Sequence, residues 1–131
     1  MSTLKVTNIQ ATGETASRPV SGVSAAWINF NGTTVTSAAD LTGVRDSLNF
    51  TSLVDDANGE YTLNLSNNMS NSNYAYSALN GGSTYTEVLP AAGNFQANPS
   101  ITTSSYTIII RSSTTRYDDT FVMSQMHGDL A

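Results

Sequence analysis

A chain of 131 residues with a net charge of -5, whose five Lys or Arg are spread singly at Lys5, Arg18, Arg45, Arg111 and Arg116, has no basic face for a phosphate backbone, which argues against nucleic acid as a partner. Without cysteine it can form neither disulfides nor thiolate metal sites, and no apolar run nears the roughly 20 residues of a membrane span. Charged residues are only 11% of the chain while Ser, Thr and Asn together number 49, so the surface is made of short neutral hydrogen-bonding groups around the core of a single domain.

Residues 1–24 carry one short alternating piece, Leu4, Val6 and Ile9, and then a polar tract with Gly13, Pro19 and Gly22. This is an N-terminal extended arm, too poor in apolar residues to form a core and suited to assembly or attachment through Leu4, Val6 and Ile9. It lacks the basic stretch and apolar core of a secretory signal, so synthesis in the cytoplasm is expected. The β-rich domain is expected over residues 25–131. It opens with AAWINFNG, where Trp27, whose burial would remove about 200 Å² from water, is read as a core marker. An Asn31-Gly32 turn leads to a second short strand at 33–36, and 37–43 could hold one helical turn.

Residues 45–65, RDSLNFTSLVDDANGEYTLNL, read as a β-hairpin. Leu48, Phe50 and Val54 share one face of its first arm, and Tyr61, Leu63 and Leu65 alternate along the second. Asp55, Asp56, Asn58 and Gly59 supply the reversal. NYAYSAL is the next strand, Asn80-Gly81-Gly82-Ser83 a turn, and TYTEVL at 84–89 a further strand. Residues 90–99 lie between prolines as a surface loop. ITTSSYTIIIR at 101–111 is the longest strand candidate, and TFVMSQM at 120–126 closes the chain. The pattern is all-β, an antiparallel sandwich or barrel-like domain of about eight strands. Ile109 opposes Tyr106, Ile108 and Ile110, and Phe121 and Met123 oppose Val122 and Met126. Apolar groups on both faces point to self-association or to a strand covered on both sides.

Little in the chain suggests catalysis. His127 is the only histidine and sits near the end of the chain, a poor base for a Ser/His/Asp arrangement. Asp118 and Asp119, or Asp55, Asp56 and Glu60, could supply the acid pair of a glycan-cleaving enzyme, but adjacent strand residues face opposite ways. DDANGE lacks the alternating acids of a calcium loop, and His127 with Asp129 is an incomplete pair, so no metal and no cofactor is expected. Aromatic rings could stack on sugar. Tyr74 and Tyr76 are read as core, while Tyr85 and Phe95, the latter flanked by Asn94 and Gln96, sit at loops and are the candidate receptor contacts. Four glycosylation sequons, at Asn31, Asn49, Asn64 and Asn68, follow from the composition alone.

In order, TLKVTNIQ, AAWINFNG, VRDSLNFTSLVDDANGEYTLNL and DDTFVMSQMHG resemble a family of small tail-fibre domains of tailed bacteriophages, with an LKV arm, an AWVNFNG strand, an IRDSFNVSSI strand and a GDYTVNF hairpin. The run from Trp27 to Leu65 is the most specific part. The SAADLTG segment is longer than the family pattern, and no collagen-like, coiled-coil or β-helical shaft is present. The resemblance implies a non-enzymatic structural protein of the virion, a short homotrimeric tail fibre or tail accessory protein that contributes to host attachment. Its partners would be itself, other virion proteins through the arm, and a host surface glycan or protein. A capsid decoration protein and a carbohydrate-active tailspike are the alternatives.

Overall fold

A computed structural model describes residues 8–9, 18–19, 23–81, 100–112 and 115–131. Two residue pairs, β1 (Asn8–Ile9) and β2 (Arg18–Pro19), form a small antiparallel ladder. The body follows with β3 (Ser24–Phe30), β4 (Val44–Leu48), β5 (Phe50–Ala57), β6 (Glu60–Leu65), β7 (Ala75–Asn80), β8 (Ser105–Ile109), a two-residue pair β9 (Arg111–Ser112) and β10 (Thr115–Arg116), and β11 (Val122–His127). A first sheet runs β4-β3-β11-β7 and a second runs β5-β6-β8, all antiparallel. The all-β reading holds, and the architecture is a sandwich. No helix among the described residues is long and apolar enough to cross a membrane.

Alternation explains the core. From the first sheet Ala26, Ile28, Phe30, Ala78, Val122 and Met126 point inward, and from the second Phe50, Leu53, Tyr61, Leu63, Tyr106 and Ile108, all buried. Each of these side chains larger than alanine contributes about 1.5–3 kcal/mol by leaving water. Aromatic pairs join the sheets: Phe30 meets Tyr61 edge-on at 5.2 Å between ring centroids and Tyr76 meets Tyr106 at a tilt at 5.1 Å. One polar bridge crosses the core. Ser124 Oγ donates to the Ser77 carbonyl at 3.0 Å, which leaves the Tyr106 hydroxyl to donate to Ser124 Oγ at 2.8 Å. Burial in this place pushes the Tyr106 phenol well above its usual ionisation range.

The 45–65 segment departs from a simple hairpin. The hairpin is β5 and β6 alone, closed by Asn58-Gly59 with Gly59 at φ 68°, and Asp55 and Asp56 belong to β5 rather than to the turn. Residues 44–48 pair instead with β3 in the other sheet. The chain changes sheets at Asn49, a non-glycine residue at φ 64°. Asparagine suits the left-handed region because its short side chain bonds locally. Here Oδ1 accepts from the Asn67 backbone N–H at 2.8 Å and Nδ2 donates to the carbonyls of Ala25 and Asn67 at 3.3 and 3.2 Å. The corner and a bulge between Phe50 and Ser52 reset the parity, so that Leu48 is exposed, Phe50 and Leu53 are buried, and Val54 is only half-buried.

Three other expectations are corrected. The strand foreseen at 33–36 is replaced by a 3-10 turn at Gly32–Thr34, because Asn31 Oδ1 caps the Thr33 N–H at 3.2 Å and the Thr34 N–H reaches the Asn31 carbonyl. The helical turn over 37–43 does not form. Asp40 instead accepts the Leu53 N–H at 2.7 Å on its backbone carbonyl and the Thr42 N–H at 2.7 Å on its carboxylate, tying the loop to β5. The strand at 101–111 shrinks to Ser105–Ile109, since Thr102 folds back on Ser104 and Ser105 through its hydroxyl. The strand foreseen at 84–89 and the loop at 90–99 lie outside the described residues.

Candidate functional site

The two outer faces of the sandwich differ in kind. On the second sheet, most outward positions are polar and bonded to one another, beside the half-buried Val54 and Ile109. Thr62 Oγ1 donates to Asp56 Oδ2 at 2.6 Å and lies 3.1 Å from Thr107 Oγ1, Asn64 Nδ2 donates to Ser52 Oγ at 3.0 Å, and Arg116 pairs with Glu60. This is the more polar side of the sandwich, although Ser52 and Thr107 on it are buried. The first sheet is different. Its outward positions include Trp27 (36% exposed), Leu48 (48%), Leu79 (43%) and Met123 (41%), with Phe121 (49%) at the end.

Register brings these side chains together. Trp27 lies opposite Leu48, and Met123 lies opposite Leu79 on one side and Asn29 on the other, with Gln125 opposite both Trp27 and Ser77. A shallow concavity of about 420 Å³ opens between Trp27, Leu79, Met123, Ser77 and Gln125. Arg45, the extra residue at the β3–β4 irregularity, edges this face. Its guanidinium lies 4.3 Å above the Phe121 ring and donates to Asn29 Oδ1 at 3.2 Å and to the Thr120 carbonyl at 2.6 Å. Trp27 is therefore no core marker: Ala26, Ile28 and Phe30 take the inward parity of β3 and leave Trp27 on the outside. The opposition of Phe121 and Met123 to Val122 and Met126, visible in the sequence, is the signal that locates this face.

The carboxylates serve as clamps. Asp118 Oδ1 accepts from the Tyr61 hydroxyl at 2.6 Å and from the Gly59 N–H at 2.7 Å, fastening the β5–β6 turn to the segment that leads into β11. A side chain at position 59 would collide with the Ile110 carbonyl at 2.5 Å. Burial, and then the Asp118 carboxylate, hold the Tyr61 phenol far above its usual range, so it remains a donor. Asp119, almost fully buried, accepts from Asn80 Nδ2 at 2.9 Å and from the Phe121 N–H at 3.3 Å. Asp118 and Asp119 are thus committed to different hydrogen-bond partners. Asp55 differs from both: its Oδ1 is buried without a hydrogen-bond partner, and burial, then Asp118, then Asp56 raise its carboxyl above the usual range. Among the described residues no three His, Asp or Glu side chains gather as a metal-binding group. His127 is half-buried at the end of β11, and Asp129 is exposed.

The aromatic candidates divide. Tyr74 and Tyr76 are half-buried against the core, as read, and the Tyr74 hydroxyl donates to the Thr102 carbonyl at 2.9 Å, with burial pushing its phenol up to about 12. Tyr117 also packs on the core and accepts from Asn80 Nδ2 at 3.1 Å. Tyr85, Asn94, Phe95 and Gln96, the candidate receptor contacts, lie outside the described residues, as do Leu4 and Val6 of the arm. Ile9 falls in β1, where its backbone pairs with Arg18. No protein-family model, curated protein or solved structure matches the chain.

Proposed function

We propose that this chain is a non-enzymatic structural subunit of a bacteriophage particle, a short homotrimeric tail fibre or tail accessory protein that contributes to host attachment. The observation that carries the structural half of this reading is the contrast between the outer faces, one mostly polar and hydrogen-bonded, the other with exposed apolar groups gathered around Trp27. That layout suits a subunit packed within an assembly. The clamping roles of Asp118 and Asp119 support the same reading, because the side chains that an acid pair would need already hold the fold together. The resemblance to phage tail-fibre domains supports the particle. Its most specific stretch covers β3, the Asn49 corner and the β5–β6 hairpin, the segments that supply much of the core.

Host contact falls in this reading to Tyr85, Asn94, Phe95 and Gln96, with three copies multiplying a weak single-site affinity. Particle attachment falls to residues 1–24. A reconstruction of purified particles with antibody to this chain tests the proposal. Density at the tail, in few copies with threefold symmetry, is the expected result. Copies spread over the shell in large number would replace the fibre with a capsid decoration protein, and absence from the particle would overturn the proposal.

A further inference from the structure

The apolar face of the first sheet needs a cover, and we infer that the cover is a second copy of this chain, packed against Trp27, Leu48, Leu79 and Met123. The inference rests on the self-association in the proposed function but assigns it to a surface. Area is the first argument. With side-chain areas of roughly 150–250 Å², the exposed fractions of these four residues and Phe121 leave about 400 Å² of apolar surface in water. A stable interface removes about 800 Å² from each partner, a little over half of it apolar. The face meets the apolar share of that requirement, and Asn29, Ser77 and Gln125, which lie between the apolar side chains, bring it to roughly 600 Å² per copy, the size of a weak, concentration-dependent contact.

Charge is the second argument. Two copies at -5 repel each other, which favours contact where charge is scarce. Asp55, Asp56 and Glu60 belong to the second sheet and Asp118 to the segment bonded to it, away from the Trp27 face, while Asp119, bonded to Asn80 of the first sheet, is buried. Among the described residues, Asp46 and Arg45, adjacent on the edge strand β4, border it, with His127 at the end of β11. The first two offer one charge of each sign to an approaching copy, which sets orientation more than affinity. The composition of the face, with Trp, Phe, Met and an edging Arg, matches the residues enriched in interface centres.

Trp27 is the only tryptophan, so its fluorescence reports directly on this face. Sedimentation and tryptophan emission are followed together on the full chain, from low to high micromolar, for the wild type, Leu79→Glu, Met123→Lys and, on the exposed face of the second sheet, Thr51→Glu. Expected are wild-type masses at a multiple of 13.9 kDa, with Trp27 protected from acrylamide and its emission moving to the red as dilution dissociates the assembly. Leu79→Glu and Met123→Lys should each weaken association at least tenfold with circular dichroism unchanged, and Thr51→Glu should not. An assembled wild type whose Trp27 is freely quenched would overturn this inference and leave a trimer through another surface standing. A monomer at every concentration would overturn both. A monomer whose Trp27 is protected, or becomes protected when an oligosaccharide is added, would give the face to the chain's own arm or to a glycan instead.

Discussion

Replacing Tyr61 by Phe removes one hydroxyl and leaves the ring, with its edge contact to Phe30, in place. That hydroxyl donates at 2.6 Å to Asp118, whose same oxygen also accepts the Gly59 N–H. A hydrogen bond to a charged acceptor is worth about 1.5–3 kcal/mol. Water replaces part of it because Asp118 is only half-buried, which places the cost of Tyr61→Phe near 2 kcal/mol, or a fall of about 8 °C in Tm for a domain of this size. Tyr61→Ala would lose the ring as well and should cost about 3–5 kcal/mol. Urea denaturation of the wild type, Tyr61→Phe, Asp118→Ala and the double variant separates the bond from side effects of either change. The expected coupling is at least 1 kcal/mol, since both residues act in one bond. A Tyr61→Phe loss below about 0.5 kcal/mol, or strictly additive variants, would refute the view that this bond fastens the hairpin tip to the segment that leads into β11.

Asp55 yields a pH prediction of opposite sense to ordinary acid denaturation. Its carboxyl is raised in the fold above the unfolded value of 3.8, so the ionised form is disfavoured by folding, and its contribution improves as pH falls through the folded value toward 3.8. Asp55→Asn should therefore raise Tm at pH 7, and the advantage over wild type should shrink in melts taken toward pH 4; an advantage that grew on acidification would contradict the assignment. At the corner, Asn49→Ala should destabilise more than Asn49→Gly by about 1 kcal/mol in urea titrations, because both lose the side-chain bonds but only alanine strains the left-handed backbone. Equal losses would place the whole effect in the side-chain bonds.

The fold was most legible where one periodicity ran unbroken. In EYTLNL, Tyr61, Leu63 and Leu65 alternate with polar groups and all three are buried. The same alternation in AAWINF was ambiguous, because Trp27 and Ile28 are both apolar and occupy opposite parities. Size favoured Trp27 as the buried member, and packing against Tyr61 chose the Phe30 parity instead. The corner escaped notice because Leu48 and Phe50 keep the spacing of a single strand while belonging to different sheets. Nothing in local sequence marks that change except an asparagine, in a chain with 13 of them. The apolar face was visible as a surplus at Phe121 and Met123, yet its assembly from β3, β4, β7 and β11 depends on pairings between residues about 20 to 100 positions apart, which no local pattern encodes. The carboxylate clamps were illegible for the same reason, since the partners of Asp118 stand 57 and 59 residues away.

Strand pairing also gives the domain a direction. Ser24 lies beside His127 and Ala75 at one end of the first sheet, while Phe30, Val122 and Asn80 share the other. The N-terminal segment therefore enters the sandwich at one pole, and residues 82–99 depart after Gly81, held to the Phe121 carbonyl, at the opposite pole. Six residues of extended strand put about 20 Å between the two points. A subunit anchored through its amino terminus would thus release residues 82–99 from the pole facing away from the anchor, while the chain rejoins the sandwich at Ser100, beside Thr107 and midway along β8.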